Sequence, residues 1–515
     1  MTKRLCCLFL CLLLLVPSLA MGENVGDSLL LGIVSTRTTE IRPLTPLERD
    51  IVSLYGMVYE SLVTIDDNGL PQPLLAETWS ETGGGKTWTF TLRDDITFSD
   101  GTPLTAQDVV ASGQYILELA KNKDVTDNGF YQNIRYLVTS FSADGDQTVV
   151  VKGERSYYGL LYSMTFPVIP ASQLETPSPL GTGPYVISAF EAGSYLSLTC
   201  NPHWWQMQPQ VTDIMCTFYT NNKDMINAFE YGRVDTVFTR SVAAAQYKSG
   251  INSLSIAYST RQLETLQLNH GKFPLESVKV RQAIRYAINK DAIAKNIYMG
   301  MTIDADTPVP ADSWLYYDQE STFVYNPERA MELLAEDGWR DSDNNGVLDK
   351  VVDGKQRNLQ LQLCVYEDPE NDVRFETANM IVDMLAAVKI KVVPSTMSYE
   401  AVAEQLKVGS FEMALCAFQM DTVPDYGFML RKGNGQNYGR YISSDMTSLI
   451  DTLRTQQNRE DFAYTTQAIQ QQFANDTPFI CLFYRAGAIL TRKMFTTVRT
   501  IREFELLRGI EAFGR

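Results

Sequence analysis

Residues 85–110 read GKTWTFTLRDDITFSDGTPLTAQDVV. Within it, Thr87–Leu92 alternates Trp88, Phe90 and Leu92 with polar residues, the period of a half-buried strand. Gly83-Gly84-Gly85, just before, predicts a hairpin turn. Thr105, with Asp108 three residues on, predicts a capped helix over 105–120. GGGKT at 83–87 is not a phosphate-binding loop: position 80 is Ser where that motif needs Gly, and a strand follows where a helix is required. A strand, a polar turn and a helix in one short stretch indicate an α/β or α+β chain.

The same alternation continues in both directions. Upstream, Ser28–Val34 is a buried-strand run, and Thr45-Pro46-Leu47-Glu48 predicts a helix start, with the helix running to about Ser61. Downstream, 139–200 is rich in strand signals. Over 277–289, Val280, Ala283, Ile284, Ala287 and Ile288 make one apolar helix face. Asn326-Pro327-Glu328 caps a further helix that ends at Gly338. Helices are expected near 370–387, 398–408, 444–456 and 459–475. Leu359–Val365 and Phe411–Phe418 read as strands of a second α/β lobe. There is no internal repeat and no low-complexity tether.

The first 22 residues read as a secretory signal: Lys3 and Arg4, an apolar run over Leu5–Val16, then Pro17, Ser18 and Ala20 before cleavage after Ala20 or Gly22. That run is shorter than a membrane span of about 20 residues. Cys6, Cys7 and Cys11 lie inside it, and LFLC lacks the small residues of a lipid-attachment motif, so a free exported protein is expected, periplasmic or at the cell surface. The formal net charge is −17, and loss of Lys3 and Arg4 makes it more acidic, which argues against nucleic acid as a partner. Cys200, Cys216, Cys364, Cys416 and Cys481 are far apart and odd in number; most are expected to be buried, with one disulfide possible.

Catalytic motifs are missing. With only His203 and His270 there is no HExxH and no histidine cluster for zinc, and neither GxSxG nor SxxK occurs. The expectation is no enzyme, no cofactor and no metal. Asp341, Asp343, Asn345, Gly346 and Asp349 resemble the front of a calcium loop, but its twelfth position is Val352 instead of Glu, so a polar turn is expected.

Taken in order, YESLVTIDDNGLPQPLLAETW (59–79), residues 85–110, GTGPYVISAF (181–190), NPHWW (201–205), VKVRQAIRYAINKDAI (278–293), YNPERAMELLAEDGW (325–339), FEMALCAFQMD (411–421) and NYGRYIS (437–443) resemble the bacterial family 5 solute-binding proteins. These are the dipeptide, oligopeptide and nickel receptors of ABC importers. The resemblance implies an α/β, two-lobed periplasmic-binding-protein-like fold (type II, large peptide-binding class). The first lobe would span 23–265 with an extra subdomain at about 51–179, the second 266–479, and 480–515 would return to the first. A ligand would lie between lobes that close on it.

It also implies the site. Asp421 falls where peptide-binding members hold the ligand's N-terminal amine, while Leu415 stands where some carry an arginine for the carboxylate. Gln419, Thr45, Leu47 and Tyr438 are the further ligand contacts it suggests. The implied partners are a small peptide and ABC permease subunits, and the protein would act as a monomer. Oligosaccharide, metal chelate or a sensor role without transport stay open, with a secreted hydrolase the weakest alternative.

Overall fold

The computed structural model describes residues 28–122, 129–131, 133–249, 253–318, 324–367, 372–492 and 501–507. The expected signal and its three cysteines lie outside them. The molecule has two α/β lobes sharing one mixed sheet. Its path runs from Lys391–Met397 through Gln360–Tyr366 and Met413–Gln419 to Leu254–Leu268, then Phe479–Thr491, Thr236–Thr239, Ser28–Val34, Asp213–Tyr219, Tyr195–Cys200 and Tyr185–Glu191. Leu254–Leu268 and Phe479–Thr491 are the long crossing strands. They pair antiparallel from Leu254↔Thr491 to Gln267↔Phe479, and the ladder is broken between Ser259 and Leu263 and again at Glu264. Such bulges bend a strand and re-aim its side chains.

The alternation in Thr87–Leu92 explains a second sheet. Trp88, Phe90 and Leu92 are buried, and the strand sits between Ala76–Thr82 and Thr148–Gly153, with Val138–Ala143 beyond. Gly83, Gly84 and Gly85 all take positive φ (65°, 68° and 78°), which a triple glycine adopts freely at a hairpin. The helix Ala106–Lys121 covers this sheet. Thr105 donates through its backbone N and its Oγ1 to the Asp108 carboxylate, at 3.0 and 2.7 Å.

In the second lobe, Val280, Ala283, Ile284 and Ala287 on Val278–Ala287 pack with Trp339, Leu361, Ile381 and Met413. The Asn326 side chain caps Pro327–Glu336 by accepting from Arg329 N at 2.9 Å. Val373–Ala387, Tyr399–Val408, Ser444–Leu453 and Arg459–Asp476 are the other helices expected there. Cys216, Cys364, Cys416 and Cys481 are buried and Cys200 half-buried; all five are free thiols, so the possible disulfide is absent among the described residues.

Two expectations need correction. The helix placed from Thr45 to Ser61 is only Arg49–Tyr55. The Glu48 carboxylate turns back onto the preceding loop, accepting from Ser35 Oγ (2.6 Å), Thr38 Oγ1 (2.5 Å) and the N–H groups of Thr36 and Arg37 (2.8 and 3.0 Å). It pins that loop instead of closing a capping box. The strand-rich stretch is also interrupted: 154–184 holds short 3-10 turns, chiefly Tyr158–Met164, where apolar residues fill the junction between lobes.

Candidate functional site

A cavity of about 860 Å³ lies between the lobes at the bulged crossing strand. The first lobe contributes Leu47, Arg49, Met57, Tyr59, Glu60 and Asn133, among others. The second contributes Gln419–Val423, and the C-terminal segment 501–507 contributes Glu503, Phe504, Glu505 and Leu507.

Asp421 follows the strand Met413–Gln419, where the chain leaves the sheet. Its Oδ1 accepts from the N–H of Thr422 and, at 3.4 Å, of Val423. Its Oδ2 accepts from Asn133 Nδ2, which reaches over from the first lobe. Burial raises the Asp421 carboxyl above its usual range, against the lowering pull of Arg261 and these donors. Among the described residues, the hydrogen bonds it accepts come from neutral groups.

The bulge turns Arg261 into the cavity. Its guanidinium lies 5.5 Å from the centre of the Phe504 ring, and burial lowers its pKa, partly offset by Asp421. The segment carrying Phe504 is tied to the bulge: Glu503 N donates to Ser259 O at 2.9 Å, and the Glu503 carboxylate accepts from Arg261 N at 2.8 Å. Glu503 is also within 3.4 Å of Arg49 and 3.6 Å of Arg240, which pairs with Asp50 at 2.7 Å. Glu60 accepts from both indoles of the NPHWW stretch, Trp204 at 3.4 Å and Trp205 at 3.0 Å.

Of the residues expected from sequence, Asp421, Gln419 and Leu47 share the cavity wall; Leu47 is 39% exposed. Thr45 and Tyr438 are not on that wall. Thr45 belongs to a turn, its N bonded to Arg42 O at 3.2 Å. Tyr438 stacks on Phe418, ring centres 5.7 Å apart, against the cluster of Cys364, Val402, Leu406 and Cys416. Arg261, Asn133, Glu60 and Phe504 were not anticipated. Neither histidine lines the cavity, and burial pushes His270 down to about 4, its Nε2 lying 2.9 Å from Pro478 O.

Beside the cavity, whose wall includes Tyr162, the lobes are joined by rings. Tyr158 packs on Phe462 (5.7 Å) and Trp314 (6.4 Å), Trp314 Nε1 donates to Tyr162 Oη at 3.0 Å, and Tyr158 N donates to Gln456 O at 2.8 Å.

In the loop from Asp341 the acids already have protein partners. Asp341 pairs with Lys389 at 2.7 Å, and Asp349 accepts from Ser342 N and Oγ at 2.8 and 2.7 Å. Among the described residues no group of three His, Cys, Asp or Glu side chains is placed to hold a metal ion. A chelator is therefore expected to leave the unfolding midpoint unchanged; a fall in that midpoint in a thermal melt with EDTA would show a structural ion.

The family model for bacterial extracellular solute-binding proteins, family 5, matches residues 71–440, so the chain belongs to that family of ABC-importer substrate-binding proteins. It is 24% identical over 486 residues to the oligopeptide-binding protein AppA of Bacillus subtilis, covering 89% of this chain and 86% of AppA. Over 305 residues it is 28% identical to the nickel-binding periplasmic protein of Escherichia coli, 55% of this chain and 56% of that one. Among solved structures, NikA from Brucella suis with Fe(III)-EDTA superposes with a TM-score of 0.78 at 20% identity, covering 94% of this chain and 99% of NikA. AppA with a nonapeptide gives 0.68 at 21%, covering 94% and 98%. These likenesses establish the two-lobed fold. No helix among the described residues is long and apolar enough to cross a membrane.

Proposed function

We propose that this protein captures peptides in the interlobe cavity, with Asp421 holding the ligand's ammonium group, and delivers them to an ABC permease. One observation carries the reading: Asp421 stands on the cavity wall beside Gln419, half-buried, with neutral hydrogen-bond donors and no ion pair among the described residues. A carboxylate so placed is unfavourable while the site is empty, and an ammonium would relieve it by a charge-assisted hydrogen bond. Gln419 and Leu47 are the neighbouring contacts in this proposal. Backbone groups at the end of the strand Met413–Gln419 would serve a ligand main chain, a mode that tolerates varied side chains. The protein would act as an exported monomer that binds without turnover, its first 22 residues serving as the signal. The lobe boundaries near 265 and 480 are part of the same proposal, since each falls within a crossing strand.

Ligand binding should raise the melting temperature. A ligand that binds only the folded chain contributes RT ln(1 + [L]/Kd), about 2.7 kcal/mol at 100 times Kd. A melting screen of peptides, oligosaccharides and metal chelates should give its strong shifts with free-amine peptides. Shifts confined to sugars or chelates would replace the peptide reading.

A further inference from the structure

The C-terminal segment 501–507 is fastened to the cavity wall on both sides of Phe504. Before it, the Arg502 guanidinium donates to Ile65 O and Asp66 O at 2.6 and 3.0 Å, and Glu503 N donates to Ser259 O at 2.9 Å. After it, Glu505 N donates to Arg502 O at 3.0 Å, the Glu505 carboxylate pairs with Arg502 at 2.9 Å, and Leu506 and Leu507 are buried. Between these anchors the backbone of Phe504 takes a φ of 71°. A bulky side chain is held in that left-handed region only by surroundings that over-determine it, and such strain gathers at ligand-binding positions. Other described non-glycine residues also have positive φ, but Phe504 is the one among them that lines the cavity. With its flanks bonded, the positive φ is what turns the ring inward.

The ring is wedged between two neighbours. Phe130, from the first lobe, meets it at 71° with ring centres 5.0 Å apart, and the Arg261 guanidinium lies over it at 5.5 Å from its centre. Both neighbours lead to Asp421. Met420 N donates to Arg261 O at 2.8 Å, and Asn133, three residues beyond Phe130, donates to the Asp421 carboxylate. The ring therefore stands on the Asp421 side of the cavity. Held by Arg261 on one face and by Phe130 from another side, it has little free face for stacking on a ligand, and what it contributes there is volume.

We propose that Phe504 is a specificity-determining residue: its ring fills the subsite beside Asp421 and limits the ligand residue bound there to a small side chain. The inference rests on the peptide reading above and adds the size of the residue whose ammonium Asp421 holds. Selection at this end then comes from the C-terminal segment and not from the sheet of either lobe.

The test is calorimetric titration of the purified protein with tripeptides that end in two alanines and begin with glycine, alanine, leucine, phenylalanine or tryptophan. The wild type should bind the glycine- and alanine-led peptides most tightly. Phe504→Gly removes the ring and adopts positive φ without strain, so it should fold. It should gain roughly 10- to 100-fold for the phenylalanine- and tryptophan-led peptides, the range for burying one large apolar side chain, with the glycine-led peptide little changed. Phe504→Tyr should keep the wild-type order. Phe504→Leu keeps an apolar side chain against Phe130 and should give an intermediate order; it carries the test if glycine loosens the segment. A wild-type order unchanged in both Phe504→Gly and Phe504→Leu, or a wild type that binds tryptophan-led peptides as tightly as glycine-led ones, would overturn the proposal while leaving a peptide receptor in place. Failure of every peptide with every variant would remove the peptide reading itself and this inference with it.

Discussion

Replacing Asp421 by asparagine is expected to weaken binding of free-amine peptides by more than a hundredfold, about 3–5 kcal/mol if the lost partner belongs to a buried charged pair. The change keeps the shape. Asn133 can turn its amide to present an oxygen to the new NH2 group, so the charge is the main thing removed. Peptides with an acetylated N-terminus lack the ammonium and should bind weakly to both proteins. The empty protein should behave in the opposite sense. Burial raises the folded-state pKa of Asp421 above its ordinary 3.8. A carboxyl raised in this way favours the fold below its unfolded pKa, and that contribution is lost as pH rises through the folded pKa. Asp421→Asn should therefore melt higher than wild type at neutral pH, with the gap closing as pH falls toward 4. By the same linkage, wild-type affinity for a free-amine peptide should drop as acid protonates Asp421. Equal affinities of wild type and variant for such a peptide, measured by titration at neutral pH, would take Asp421 out of the site.

Gly181→Ala is expected to destabilise the fold by about 3 kcal/mol or more, the upper end of overpacking effects. A Cβ on Gly181 would sit 2.0 Å from the carbonyl oxygen of Val58, and one on Gly183 would sit 2.7 Å from that of Met57. Backbone atoms cannot swing aside as a side-chain tip can. The contact is close because the strands of chain are bonded there: Gly183 N donates to Val58 O at 2.9 Å and Tyr185 N to Met57 O at 3.0 Å. Met57, Tyr59 and Glu60 line the cavity, so pushing this segment away should also lower ligand affinity. Gly435→Ala is the control, since nothing lies within 4 Å of its Cβ position and its φ is not positive. Denaturant midpoints that are the same for the two variants would contradict this account.

Sequence reading recovered those elements whose cause is local. The apolar face of Val278–Ala287, the Thr105–Asp108 cap, the Asn326 cap and the glycine hairpin are each written in neighbouring residues. The ordered motifs led to the family and to an acid at the end of a strand. What escaped depends on residues distant in the chain. TPLE looks like a helix start, yet Glu48 is claimed by the loop 35–38, a choice that no local pattern reveals. A bulge has no periodic signature, so nothing in the sequence marked Arg261 as a cavity residue. Glu60 and the NPHWW indoles were each part of a quoted motif, but their contact across 144 residues appears only in three dimensions. Tyr438 was expected at the ligand through a motif, whereas its ring fills a gap beside Phe418.

The crossing strands bear on mechanics as well as architecture. Leu254–Leu268 and Phe479–Thr491 form an unbroken beam through both lobes apart from the bulges near the middle, where Arg261 sits. In a rotation of one lobe against the other about that point, displacement grows with distance from the pivot. The rings of Tyr158, Trp314 and Phe462 join the lobes beside the cavity, so such a rotation would separate them. Arg261, near the fulcrum, would hardly translate. Asn133 and Asp421, bonded across the cavity in this structure, would part as the lobes open.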